Sequence, residues 1–274
     1  EFMILLKNDA DHLTLYCDGL KTIAVLGPNS QARRLGRYST GDCRGYVSVL
    51  DGIRAAVGEG TEVVAEEGCQ IEDPAYDRIE EAAALARAAD VAVLVLGGSH
   101  QTAVENVDRD TLQPVGLQNE LAQAVIDTGT PVVVVLLHGR PLAITRIAEQ
   151  VDAILDGWYL GQACGTALAR VLFGEANPSG KLTVTIPRNV GQVPCYYNRM
   201  RWGRNRTYLD STVEPLFPFG FGLSYTTYAY AEPRLARAEI ARDASTSVSV
   251  KVTNTGDRAG EEIVQLYIRD LYAS

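Results

Sequence analysis

A loop rich in titratable side chains follows an apolar run near the middle of the chain. The run at residues 91–96 (VAVLVL) breaks at Gly97-Gly98, and the polar stretch behind it carries His100, Glu105 and Asp108-Arg109 before the next helix can begin. In an open α/β sheet, ligands bind just beyond the carboxyl ends of the strands. We therefore expect chemistry on this loop, and Glu105 is the side chain that we single out.

Glu105 has surroundings that suit a general acid. Its neighbours Thr102, Ala103 and Val104 are weakly polar or apolar, which would favour the protonated carboxylic acid. Asp108 and Arg109 follow closely and are expected to form an internal pair that fixes the loop. A carboxylic acid that keeps its proton near neutral pH is what general acid catalysis requires. A loop glutamate that is merely solvated remains the alternative.

Three other motifs resemble known sites but depart from them. Residues 97–100 resemble a nucleophile elbow, but Gln101 stands where that motif needs a glycine. Residues 174–181 (GEANPSGK) resemble a phosphate loop, but the spacing is one residue too long and Leu182 replaces the Ser or Thr that binds the metal. Residues 27–29 lack the glycine spacing of a dinucleotide site. We therefore do not expect a serine nucleophile, and we interpret residues 174–181 as a turn.

A basic segment at residues 198–206 (NRMRWGRNR) has four arginines around Trp202. One interpretation is a solvated loop. The other is a contact to a sugar or an anion, because an indole ring can stack on a pyranose and arginine can hydrogen-bond to hydroxyl groups. His12 and His138 are expected to be structural residues, not catalytic ones.

The elements that position these side chains alternate between strands and helices. Strands are predicted at residues 22–26, 62–65, 91–96, 132–137, 151–155 and 181–186, and helices at residues 47–57, 77–89, 116–127 and 161–173. This alternation predicts a mostly parallel sheet with helices on both faces, which is a three-layer α/β sandwich. Residues 132–137 (VVVVLL) are the most hydrophobic strand and should be central.

The sequence predicts four segments. Residues 1–20 are a linker, residues 21–187 the α/β sandwich and residues 188–227 an irregular connection. Residues 228–274 contain short alternating strands at 228–230, 245–253 and 263–268, which predict part of a β-sandwich. Because so few strands are not stable alone, we expect the chain to stop inside this second domain. The open sheet edge makes a homodimer a hypothesis.

Composition excludes several classes of function. The chain has 274 residues and a net charge of −9, which argues against nucleic acid as a partner. No apolar run is long enough to span a membrane, so no membrane partner is expected. The start of the chain (EFM) resembles a cloning remnant and shows no signal-peptide pattern, which favours a cytoplasmic location with the natural start left open. The five cysteines have no metal-binding spacing, so free thiols and no metal or cofactor are expected.

Seven segments in order resemble the second and third domains of family 3 glycoside hydrolases, the β-glucosidase and β-xylosidase group. The most specific is residues 215–226 (PLFPFGFGLSYT), and residues 105–118 (ENVDRDTLQPVGLQ) match the family segment that carries its acid/base residue. The others are residues 4–9, 21–29, 139–141, 174–182 and 252–270, the last resembling the start of a fibronectin type III-like domain.

The resemblance implies a retaining exo-β-glycosidase acting on oligosaccharides or aryl β-glycosides with a terminal β-D-glucose or β-D-xylose. It implies that Glu105 is the acid/base residue and that an Asp nucleophile lies on a separate (β/α)8 barrel. His100 and Trp202 become candidate substrate contacts. Because a retaining pair of carboxyl groups lies about 5–5.5 Å apart, the barrel must complete the active site, and the chain alone is expected to be inactive.

One alternative remains open. The chain could be a non-catalytic carbohydrate-binding or assembly module. Gly98-Ser99-His100 also replaces a stretch that often carries an acidic residue in the family, which leaves the choice between glucose and xylose open.

Overall fold

A six-stranded sheet forms the centre of the molecule. The computed structural model describes residues 2–16, 19–39, 43–198 and 208–270. The strands lie in the order β1-β6-β5-β4-β2-β3, in which only the pairing of β1 with β6 is antiparallel. Their bounds are β1 (Ile4–Asn8), β2 (Thr22–Leu26), β3 (Glu62–Glu66), β4 (Val91–Gly97), β5 (Val132–Leu137) and β6 (Ala153–Asp156).

The prediction of a mostly parallel sheet is confirmed. Every residue of β4 and β5 is buried, as expected for strands covered on both faces. Strand β1 belongs to the segment predicted as a linker, and it forms an edge of the sheet beside β6. The proposed boundaries at residues 1–20, 21–187, 188–227 and 228–274 stay predictions.

Helices cover both faces of the sheet and give the three layers. They are α1 (Val49–Ala56), α2 (Ile79–Ala88), α3 (Gln118–Ile126), α4 (Thr145–Ala148) and α5 (Cys164–Leu172). Side chains of β4 alternate between two apolar cores: Leu94 and Leu96 pack with α2, α3 and α4, whereas Val93 and Val95 pack with α1 and α5. This two-residue alternation is the geometry of a strand buried on both faces.

Two glycines set the distance between α1 and α5. Side chains built at Gly52 and Gly165 would overlap backbone atoms of the facing helix. The helices therefore touch backbone to backbone, and this close approach lets both lie flat on the same face of the sheet.

Two predicted strands are wrong. Residues 181–186 form only a single bridge between Ile186 and Phe217, and residues 263–268 form no strand. The position beside β6 is occupied by β1, and the backbone of the first segment hydrogen-bonds to residues 216–221 instead. The second segment is exposed, and its alternating apolar residues pair with no described strand.

The segment at residues 180–186 instead packs against the segment at residues 216–223. Leu182 N donates to Phe221 O at 2.8 Å, and Gly220 N donates to Leu182 O at 2.7 Å. Leu223 N donates to Leu5 O at 2.8 Å, which ties the same segment to β1. These segments overlap the sequence motifs at residues 174–182 and 215–226. Together, residues 180–186 and 216–223 form one junction beside β1.

A two-stranded antiparallel sheet follows. It consists of β7 (Tyr228–Leu235) and β8 (Val248–Asn254). All residues of β8 are exposed, including Val248, Val250 and Val252 on one face. A fibronectin type III-like domain here stays a prediction.

Other expectations concern membrane spans, thiols and metals. In the described ranges, no helix combines the length and apolarity needed to cross a membrane. Cys43, Cys69 and Cys164 are free thiols, and Cys17 lies outside the described residues. No group of three or more His, Cys, Asp or Glu side chains within those ranges is arranged to hold a metal ion.

The junction gives a test of the fold. A methyl group at Gly180 would overlap the carbonyl oxygen of Met3, and one at Gly222 would overlap that of Gly180. Because backbone atoms cannot give way cheaply, we expect Gly180→Ala and Gly222→Ala each to lower the free energy of unfolding by roughly 1–3 kcal/mol in urea titrations. Gly60→Ala is the control, since nothing lies within 4 Å of a methyl group there. Three variants of equal stability would contradict this account.

Candidate functional site

The carboxyl edge of the sheet contains a point where the strand order reverses. Strand β3 lies on one side of β2. The next strand of the chain, β4, lies on the other side of β2, and β5 and β6 follow beyond it. Ligands bind at such switch points in open α/β sheets. The loops that begin at Gly27 and Gly98 leave the sheet on either side of this point.

Asn29 ties these strand ends together. Its side chain is fully buried, and Nδ2 donates to the carbonyl oxygens of Leu96 at 3.3 Å, Gly98 at 3.2 Å and Leu137 at 3.0 Å. Gly97 permits the close approach of β4 to β5 because its φ of +140° suits glycine, and a side chain there would overlap the carbonyl of Leu137. The ends of three strands are therefore held in one arrangement.

An ion pair between a buried arginine and a partly exposed glutamate continues this network. Arg34 Nε donates to Asn29 Oδ1 at 2.6 Å, and Arg34 Nη1 lies 3.0 Å from Glu72 Oε1. Partial burial pulls the pKa of Glu72 upward, but the Arg34 charge and a hydrogen bond from Ser99 outweigh it, so the pKa of Glu72 is lowered. Glu72 therefore stays ionised as the partner of Arg34.

Ser99 shapes the turn that leads to Glu105. Its carbonyl accepts hydrogen bonds from the backbone N of Thr102 at 3.2 Å and Ala103 at 3.1 Å, and its backbone N donates to Thr102 Oγ1 at 2.8 Å. Ser99 is buried, so its hydroxyl is a structural group. His100 is exposed on this turn.

Glu105 is exposed on the loop after β4, and its backbone is held by the loop after the neighbouring strand β5. Arg140, on the loop after β5, donates to the carbonyl oxygens of Val104 at 2.9 Å and Val107 at 2.6 Å. Asn106 has a φ of +64°, a left-handed conformation that asparagine tolerates better than most residues. These contacts fix the direction in which the Glu105 side chain leaves the loop.

The neighbours of Glu105 differ from those expected. Thr102, Ala103 and Val104 do not bury it, because Glu105 itself is exposed. Arg109, expected to pair with Asp108, donates to the carbonyl oxygen of Gln113 at 2.7 Å. Burial, followed by the neighbouring Arg140 charge, lowers the pKa of Arg109.

Tyr38 makes the direct contact with Glu105. The Tyr38 hydroxyl lies 2.5 Å from Glu105 Oε2 and donates a hydrogen bond to it. This bond raises the pKa of Tyr38 above its ordinary value, and Arg37 opposes the rise. The tyrosine therefore stays a donor over the neutral pH range.

Behind this surface lies a buried polar pair. His138 Nε2 lies 3.0 Å from Asp156 Oδ1, and both side chains are nearly inaccessible. Trp158 N donates to the same oxygen at 3.1 Å, and its ring centroid lies 4.6 Å from that of His138. These contacts join the ends of β5 and β6, as expected for a structural histidine.

Sequence reasoning placed Glu105 and His100 on this edge but missed Tyr38, Arg34 and Glu72. Only Asn29 carried a signal, as the residue after Gly-Pro at the end of a strand. The others lie in irregular loops whose partners are distant in sequence. Trp202, the other candidate contact, lies outside the described residues.

Comparisons with known proteins agree with this arrangement. Residues 3–225 match the model of the glycosyl hydrolase family 3 C-terminal domain. A β-xylosidase of Formosa agariphila is 46% identical, in a match that covers 99% of this chain and 39% of the relative. A periplasmic β-glucosidase of Salmonella typhimurium is 39% identical, with 100% of this chain and 40% of the relative covered. The chain thus spans about two fifths of the length of these relatives.

Solved structures show the same fold. A β-glucosidase of Listeria innocua in complex with glucose has a TM-score of 0.88 and 33% identity, covering 99% of this chain and 38% of that one. A β-glucosidase of Erythrobacter marinus has a TM-score of 0.87 and 43% identity, covering 94% and 38%. On the family model and these relatives, the chain belongs to glycosyl hydrolase family 3, and it corresponds to the C-terminal portion of its members.

Proposed function

We propose that this chain is the C-terminal part of a retaining exo-β-glycosidase that acts on terminal β-D-glucosides or β-D-xylosides, and that Glu105 is its general acid/base. The observation that carries this proposal is the placement of Glu105, exposed on a braced loop beside the switch point. The names of the relatives, β-xylosidase and β-glucosidase, support the substrate class.

In the first step, an Asp on a (β/α)8 barrel attacks the anomeric carbon. Glu105, as the carboxylic acid, gives its proton to the glycosidic oxygen while the bond from that oxygen to the anomeric carbon breaks. The aglycone leaves as an alcohol, and the sugar remains as an ester of the Asp. Glu105 is left as a carboxylate.

In the second step, Glu105 acts as a base. Its carboxylate takes a proton from a water molecule as the water oxygen attacks the anomeric carbon. The ester bond breaks, the sugar is released and the Asp returns to its ionised form. Because the two carboxyl groups must lie about 5–5.5 Å apart, the barrel has to face the carboxyl edge of the sheet.

The other residues of this edge hold Glu105 in place. The Asn29–Arg34–Glu72 network fixes the turn at residues 99–103, and Arg140 fixes the backbone on both sides of Glu105. Small errors in the position of a catalytic group cost large factors in rate. His100 and Trp202 remain proposed contacts to the substrate.

The role of Glu105 can be tested in the complete enzyme with Glu105→Gln. We expect kcat/KM for an aryl β-glycoside with a poor leaving group to fall by roughly 10²–10⁴-fold, because proton donation is lost. An activated dinitrophenyl glycoside needs no acid, so its first step should keep most of its rate. Its second step lacks a base, and added azide should speed it by replacing water. Steady-state kinetics on both substrates measure this difference.

Glu59→Gln is the matched control, since Glu59 is an exposed glutamate on the loop that enters β3 at the opposite edge of the sheet. Equal losses on both substrates would argue against a general acid. The 274-residue chain alone should not hydrolyse either glycoside. Saturable glucose or xylose binding to that chain, together with an active Glu105→Gln enzyme, would favour a binding module instead.

The network behind the turn predicts a pH-dependent stability. The folded pKa of Glu72 is lowered, so its contribution is present above the unfolded value of about 4.3 and is lost as pH falls through the folded value. The stability gap between the native chain and Glu72→Gln should therefore be largest near pH 7 and shrink below about pH 4. Urea unfolding at several pH values measures it.

Arg34→Met should lower the free energy of unfolding by about 1–3 kcal/mol, because it leaves the Glu72 charge partly buried without its partner. Combined with Glu72→Gln, the loss should be less than the sum of the single losses. Additive losses and a gap that does not vary with pH would show that the pair does not hold this edge together.

A further inference from the structure

The contact between Tyr38 and Glu105 joins two loops on opposite sides of the switch point. We propose that Tyr38 is a positioning residue, whose hydroxyl orients the Glu105 carboxyl group by holding one of its two oxygens. This inference rests on the proposed function of Glu105. It assigns to Tyr38 the stabilisation of the carboxylate that forms when Glu105 gives up its proton.

The hydrogen bond divides the two carboxyl oxygens between two tasks. Tyr38 donates to Oε2 of Glu105. The other oxygen, Oε1, is left to carry the proton to the glycosidic oxygen and later to take one from water. Tyr38 keeps its own proton throughout, so it changes no bond in the reaction.

The backbone around Tyr38 forms a turn that presents the hydroxyl. Ser39 Oγ donates to the carbonyl oxygen of Gly36 at 2.8 Å and closes the turn. Gly36 has a φ of +79°, and its Cα lies against the Tyr159 ring. The Tyr38 side chain is largely exposed at the tip of this turn.

Tyr159 also sets the spacing between the two loops. Side chains built at Gly36 and Gly139 would lie 3.3 Å and 2.8 Å from its ring carbons. A side chain at Gly139 would also lie 3.0 Å from the methyl group of Ala103. The ring therefore packs between the turn that carries Tyr38 and the region beside the Glu105 loop, so the hydrogen bond joins two supported segments.

Charges on the neighbouring segments define the electrostatic setting. Arg37 adjoins Tyr38, and Arg140 reaches over the Glu105 backbone. The charges of Arg140 and Asp110 both act electrostatically on Arg109. Residues 36–39, 106–110 and 139–141 meet here, and their charged side chains are Arg37, Asp108, Arg109, Asp110 and Arg140. Among the causes that raise the pKa of Tyr38, the hydrogen bond to Glu105 is the largest.

A donor to a carboxylate favours the ionised form over the acid. In the first step, Tyr38 stabilises the carboxylate that forms as the proton leaves. Without the hydroxyl, proton donation to a poor leaving group should therefore slow more than the reaction of an activated glycoside, which needs no acid.

The test is Tyr38→Phe in the complete enzyme, which removes one oxygen from an exposed side chain. We expect kcat/KM for an aryl β-glycoside with a poor leaving group to fall by roughly 3–10-fold, and that for a dinitrophenyl glycoside to fall less, because one hydrogen bond to the carboxylate is lost. The control is Tyr230→Phe, because Tyr230 also donates to a glutamate, Glu262, at 2.8 Å but on β7. Its kinetics should match those of the native enzyme.

The 274-residue chain allows a direct measurement. With tyrosine labelled at Cζ, NMR titration of the 13 tyrosines should show the Tyr38 signal, identified by its loss in Tyr38→Phe, titrating above its ordinary value of about 10. In Glu105→Gln the pKa of Tyr38 should fall back toward that value.

These experiments separate two kinds of failure. A Tyr38 titration unaffected by Glu105→Gln, or equal kcat/KM losses on both substrates in Tyr38→Phe, overturns the inference and leaves the role of Glu105 intact. If the complete Glu105→Gln enzyme hydrolyses the poor substrate normally, the proposed function falls and the inference falls with it, even where the Tyr38 titration moves.

Discussion

The side-chain amide of Asn29 is the interaction on which the carboxyl edge depends. Carbonyl groups at buried strand ends need hydrogen-bond donors, since water cannot reach them. Asn29 Nδ2 supplies one donor group to three such carbonyls. Its own oxygen then requires a donor, which Arg34 provides, and the Arg34 charge requires Glu72. The need for a partner thus passes from Asn29 to Arg34 and from Arg34 to Glu72. Glu72 in turn accepts a hydrogen bond from Ser99, in the turn before Glu105.

This network explains why an exposed catalytic candidate can still be well placed. Binding and catalytic groups often lie on loops, and their precision comes from the rigid elements that support them. Here β4 and β5 are fully buried, and the loop between residues 98 and 107 is attached to their ends by Asn29, Ser99 and Arg140. The tip that carries Glu105 stays open to solvent. The proposed function requires this exposure, because a barrel has to face that surface.

The sequence predicted the layers well because apolar periodicity records which faces are buried. It missed the short helix α4, and it placed a strand at residues 181–186 because alternation alone does not show whether a partner edge is free. The network of Asn29, Arg34 and Glu72 joins loops distant in sequence, and no local pattern encodes such contacts. Glu105 was singled out because its loop follows a buried strand, and its proposed role came from a family segment. Its role, those of His100 and Trp202 and the cytoplasmic location stay predictions.

The most specific sequence motifs turn out to hold the chain together at a point away from the candidate acid. Asn177 Oδ1 accepts hydrogen bonds from Ser224 Oγ at 2.9 Å and Tyr225 N at 2.8 Å, and its Nδ2 donates to Ala259 O at 3.2 Å. The same junction is hydrogen-bonded to β1 through the carbonyl oxygen of Leu5.

Strand β1 comes from the segment that resembles the linker after the barrel. It is therefore held on one edge by β6 and on the other by the junction. A segment fixed on both edges would limit how a domain attached to it can be oriented. On the proposed function, that constraint gives a physical reason for such specific glycine and asparagine positions far from Glu105, because a catalytic pair divided between two domains would depend on the rigidity of their connection.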